Sequence, residues 1–151
     1  MANKSPQLNL SSLEDVLNEY LGKKAPQLPG NVKEALVTYA PWITLVLLLL
    51  SLPAVLVLFG VGALAMPFSY MGGVQYGTTY TISLVILAGT LILEGLAIPG
   101  LMKRKKSAWN LVFYATLLGI VSHLLSYNLG NLLLGALLPL YILFQIRSYY
   151  K

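Results

Sequence analysis

The sequence predicts an all-α polytopic membrane protein, with four transmembrane helices in up-down order behind an N-terminal cytoplasmic amphipathic helix. Three observations predict it. Of 151 residues, 57% are hydrophobic and 10% charged, against about 25% charged in ordinary globular domains, and the mean hydropathy is +0.73. Four apolar segments run over about 42–65, 80–102, 108–126 and 132–147. The charges flank these segments on one side.

The first forty residues form a separate module, and 41–151 form the transmembrane domain. Met1 to Leu10 is polar without an apolar core, so no cleavable signal peptide is expected and the first span directs insertion. Ser11-Ser12-Leu13-Glu14 fits a capping box, in which Ser11 bonds the third amide and Glu14 reaches back. It opens an amphipathic helix over about 12–22. Leu13, Val16, Leu17, Tyr20 and Leu21 fall on one face at helical spacing, a candidate partner-docking face. A helix that lies on anionic lipid lines its polar face with Lys and Arg. This one carries Glu14, Asp15 and Glu19 there, which favours docking on a partner or on the chain's own basic turn. The segment 25–30 is a breaker. Asn31-Val32-Lys33-Glu34 resembles a second capping box, opening a short helix over about 31–40 that ends before Pro41.

The first span holds Pro53 near its middle, where the missing N–H and the ring favour a kink. The connection 66–79 is uncharged and rich in Tyr and Gly; Tyr at headgroup level suits an outer interfacial loop, and a re-entrant or ligand-binding loop is the alternative. Lys103-Arg104-Lys105-Lys106 is too short to leave the membrane surface, so the second and third spans form an antiparallel hairpin. Asn and Gly in 127–131 supply a second tight turn. The fourth span is the shortest, and Arg147 snorkels at its end.

Orientation follows from charge. Residues 1–40 hold four lysines and four acids; the remainder holds six cations and one acid. With four crossings, every cation falls on one face, which is the cytoplasmic face by the positive-inside rule. The net charge of +5 is therefore a topology signal, and nucleic acid is not an expected partner. The expected partners are the lipid bilayer and other membrane proteins or further copies of the chain.

Glu94 is the one acid in a span, about 12 Å inward from Met102 at 1.5 Å per residue. A carboxylate at that depth is costly unless neutral, hydrated or paired. It reads either as a protonatable site or as a hydrogen-bonded packing residue. Depth matching selects Tyr114, Thr116 and Tyr141 as partners, at about 9, 12 and 10 Å from the same side. His123, at about 22 Å, is too far out for a direct pair, and one histidine makes a poor metal site. Ala115 and Gly119 form a small-xxx-small pair that allows close helix approach.

There is no cysteine, so disulfides and thiolate chemistry are excluded. No glycine-rich phosphate loop, HExxH or GxSxG occurs, so no catalytic site, metal or cofactor is expected. The basic turn followed by Ser107-Ala108-Trp109-Asn110-Leu111-Val112-Phe113-Tyr114, together with Leu140-Tyr141-Ile142-Leu143-Phe144-Gln145-Ile146-Arg147, resembles small uncharacterised bacterial four-helix integral membrane proteins. That resemblance implies a bacterial inner membrane and supplies no activity. The expected function is association, as a scaffold or accessory subunit of a membrane complex. The alternative is a small transporter or channel subunit that uses Glu94.

Overall fold

A computed structural model describes residues 10–125, 130, 135 and 137–151. Among the described residues every regular element is helical. The elements are α1 (Leu10–Leu17), α2 (Gly30–Ser69), α3 (Val74–Met102), α4 (Lys106–Leu125) and α5 (Leu138–Gln145). Three of them, α2, α3 and α4, are long and apolar enough to cross a membrane. The turn expected at 127–131 and most of the start of the fourth span fall outside the described residues; α5 is its final part.

α1 begins at Leu10 and continues through a wider π-type stretch, Asn18–Lys24, closed by the Ala25 N–H on the Tyr20 carbonyl at 2.8 Å. The five residues of the expected docking face separate. Leu17 and Leu21 pack against the core, while Leu13, Val16 and Tyr20 are exposed.

α2 is one helix where a short helix and a span were expected. It passes through Pro41, Pro53 and Pro67. Proline removes a hydrogen bond and crowds the preceding turn, but Val37 and Pro41 are both fully buried against the bundle. Packing at that point outweighs the local preference for a break. The second capping box does not form either. Pro29 is the N-cap, and its carbonyl accepts the Val32 and Lys33 amides at 3.0 Å each.

The connection between α2 and α3 is much shorter than the expected loop 66–79. α2 continues to Ser69, a single 3-10 turn follows at Tyr70–Gly72, and α3 starts at Val74. Gly73 makes the reversal with φ at 111°, a conformation open to glycine without the Cβ penalty. The hydroxyls of Thr78, Thr79, Thr81 and Ser83 donate to carbonyls four residues back. Their polarity is thereby satisfied inside a helix.

α3 and α4 form the antiparallel hairpin expected from the basic turn. The end of α3 is a Schellman motif. The Lys105 amide donates to the Gly100 carbonyl at 2.9 Å and the Arg104 amide to that of Leu101 at 3.0 Å. Arg104 takes the left-handed position, φ 53°.

The tightest core lies at this basic end. Trp109 and Phe113 of α4 stack with centroids 5.5 Å apart, and Phe144 of α5 meets both edge-on at 5.3 and 5.7 Å. Val37, Ala97, Leu101, Ala108, Leu140 and Leu143 close around them. The Trp109 indole N–H donates to the Leu143 carbonyl at 2.9 Å, which satisfies its polar end inside the core.

Candidate functional site

Two cavities meet at the basic end, on the faces of the α5 segment and its 3-10 continuation, Arg147–Tyr149. Tyr150 lines both.

The first is polar and measures about 460 Å³. Lys23 reaches it from the N-terminal module, Lys33 from the first turn of α2, Lys106 from the start of α4, and Arg147 from the 3-10 turn after α5. What holds its walls is a set of long-range contacts. Gln145 is 2% exposed; its amide nitrogen donates to the Leu21 carbonyl at 2.8 Å, and its oxygen accepts the Leu28 amide at 3.2 Å. One turn earlier on the same face, the Tyr141 hydroxyl donates to the Pro26 carbonyl. Glu14 completes the attachment. Its Oε1 accepts from Lys106 Nζ at 3.2 Å, from Arg147 Nε at 3.1 Å and from a second Arg147 nitrogen. Lys106 Nζ also lies 3.7 Å from the Trp109 ring centroid, within cation–π range. Glu14 was expected to cap its own helix; two strong donors, Lys106 at the start of α4 and Arg147 just beyond α5, hold it. Burial alone pushes the Glu14 carboxyl up, but the hydrogen bonds and charges of Arg147 and Lys106 together hold it below the usual carboxylate range.

The second cavity is an apolar groove of about 690 Å³ between the first turns of α2, the end of α3 and α5. Glu94 lines it, with Tyr39, Thr44 and Tyr150 as the other polar side chains. The three partners selected by depth do not join it there. The Thr116 hydroxyl donates to its own helix at Val112, and Tyr141 is held by Pro26. Tyr114 is 38% exposed and lies beside Phe113. Depth along a helix axis constrains height but not azimuth, which explains the difference. Thr44 was missed, although it is the one hydroxyl in the run from Trp42 to Leu50.

Other singled-out residues separate similarly. His123 lies at the far end of α4 against Gly135, well away from Glu94. Ala115 is buried, whereas a Cβ on Gly119 would meet nothing among the described residues within 4 Å. The tight helix approach is at Gly100, where a Cβ would stand 2.6 Å from that of Ala108.

The described residues define a class, an all-helical protein with three helices long and apolar enough to span a membrane and a basic end closed by its own N-terminal module. Comparison with family models, with curated proteins and with solved structures finds no match.

Proposed function

We propose that the chain is a four-span membrane protein with both termini in the cytoplasm that acts by association, as an accessory or scaffold subunit, without catalysis. A fourth crossing is supported by chain direction. α4 leaves the basic end at Lys106, and the chain is back at that end by Gln145, where the Lys106 amide donates to the Lys151 carbonyl at 2.8 Å. The cytoplasmic assignment rests on Lys23, Lys33, Lys106 and Arg147 gathering at one end.

The observation that carries the association reading is α2. Its most apolar stretch has no buried residue, in contrast with those of α3 and α4. Leu50, Leu56, Val57 and Leu64 are each at least 60% exposed. This helix leaves a long surface for another membrane helix to cover by van der Waals packing. A photo-crosslinking residue at Leu56 in native membranes is expected to give a discrete protein adduct, a second copy or a distinct subunit. The same residue at buried Leu84 is expected to give none. Lipid adducts alone at Leu56 would exclude association through this helix.

A second reading, a transporter or channel subunit, is favoured by Glu94 and Thr44 both lining the groove. It requires pH-dependent flux in proteoliposomes that Glu94→Gln abolishes while the protein stays folded. Absence of flux in the unmodified protein would remove it.

A further inference from the structure

The polar cavity has more positive charge than its surroundings neutralise. Four cations line it, and no Asp or Glu is among the lining residues. Glu14 answers Lys106 and Arg147 from outside that lining, and both pair with the same oxygen, Oε1. Lys33 donates to the neutral amide oxygen of Gln27 at 2.9 Å, so its charge is not compensated there. Lys23 makes no salt bridge among the described residues; Glu19 acts on it only through space, its carboxylate being paired with Lys24 at 2.7 Å. Asn18 and Ser148 add uncharged hydrogen-bonding groups to the walls. Such a cluster suits an anion with several acceptor oxygens.

The anion's source follows from what adjoins the cavity. Tyr150 is a lining residue of both this cavity and the apolar groove, so the two adjoin at one side chain, and a ligand with a charged head and a hydrocarbon body matches both. A free phosphate would leave the groove unused. A zwitterionic lipid would bring an ammonium into a space whose lining offers it no carboxylate. We propose that the basic cavity binds the phosphate of an anionic phospholipid whose acyl chains lie in the groove beyond Tyr150. The N-terminal module is then one wall of a lipid site, because Lys23 comes from it, with Lys33 beside it in the first turn of α2. The inference stands apart from the association reading, since a monomer could bind lipid equally well.

The test uses the full-length protein in neutral detergent, titrated with phosphatidylglycerol and read by native mass spectrometry and melting temperature. Phosphatidylglycerol is expected to be retained and to raise the melting temperature, with phosphatidylcholine and inorganic phosphate producing neither effect. Lys23→Gln with Lys33→Gln is expected to weaken retention by about tenfold or more, on the basis of the attraction of each basic residue to an anionic headgroup. Lys23→Arg with Lys33→Arg should restore it. Lys103→Gln with Lys105→Gln removes equal charge from outside the cavity and should change retention little. Ile43→Trp fills the groove and should weaken retention of the lipid. Equal losses from both Gln pairs would reduce the site to a general basic surface and overturn the proposal. Equal retention of phosphatidylcholine would overturn the headgroup selectivity. A response to inorganic phosphate matching that to lipid, or an Ile43→Trp variant that binds normally, would overturn the lipid assignment in favour of a free anion.

Discussion

Glu14 links the charged N-terminal segment to the basic end of the helical bundle, and the link is electrostatic. Its carboxylate bridges α4 and the turn just beyond α5 through Lys106 and Arg147, with its side chain 19% exposed, so solvent screens it less than a surface pair. Its acidity is held below the ordinary carboxylate range. A depressed folded-state value means that its stabilisation is present in full above the unfolded value and is lost as pH falls through the folded one. Hydrogen exchange over residues 10–28 is therefore expected to accelerate as pH falls below about 4.5, after correction for the intrinsic pH dependence of exchange. Glu14→Gln should make the segment faster at neutral pH and remove that extra acid response. An unchanged acid response in Glu14→Gln would assign it to another group. Gln145 acts on the same segment without charge, through its two contacts with the backbone of residues 21 and 28. The docking of Glu14 on the basic turn at Lys106 is one of the two arrangements the acidic helix face predicts; its pairing with Arg147 and the role of Gln145 were not legible in the sequence. Glu14 has a satisfactory local partner in its own helix cap, and the partners of Gln145 lie more than a hundred residues away.

At the scale of elements, what was legible is what local chemistry decides. The basic turn allowed one arrangement of its flanking helices, an antiparallel hairpin, and that hairpin forms. Pro41 and the uncharged 66–79 segment misled because their local preferences are weak beside tertiary packing and satisfied hydroxyls. The depth-matched set around Glu94 failed for a further reason. Helix periodicity places a residue at a height, but its facing direction depends on how whole helices rotate against each other. The hairpin carries two opposed features next to its turn. Gly100 is required by the close approach of Ala108, whereas Arg104 occupies a left-handed backbone position that strains a side chain. Gly100→Leu is expected to destabilise by about 1–3 kcal/mol through overpacking. Arg104→Gly is expected to stabilise by about 1 kcal/mol, by relief of that strain. Midpoints of unfolding in mixed SDS and mild detergent measure both. Destabilisation by Arg104→Gly would show that the arginine's charge, and not its backbone strain, governs that position.

For the molecule as a whole, polarity is the organising quantity. The aromatic core, the Schellman turn, the docked N-terminal module and both cavities all occupy the end that carries the cations. The opposite end is joined by Gly73 and has no charged residue in the 66–79 segment. The membrane character and this asymmetry are present in composition and charge order. The cavities are not, because the polar one arises where residues 18–33 meet Lys106 and 144–150, and the groove where residues 35–47 meet Glu94, Leu101, Val112 and 139–150. The proposed orientation makes the asymmetry testable with little background, since the chain has no cysteine. Single cysteines at Lys105 and at Met71, which is 84% exposed, can be labelled in intact cells with a membrane-impermeant maleimide. Met71→Cys is expected to react before lysis, and Lys105→Cys only after it, because Lys and Arg near helix ends remain cytoplasmic. Reversal of that order would place the basic cavity outside the cell and invert the proposed topology. Labelling of both before lysis would mean that α3 does not cross the bilayer. With the expected order, a cysteine at Lys151 decides the last crossing. Protection before lysis supports a C-terminus beside the basic turn, in keeping with the Lys151 amide donating to the Arg104 carbonyl at 3.0 Å, and reaction before lysis would leave only three crossings.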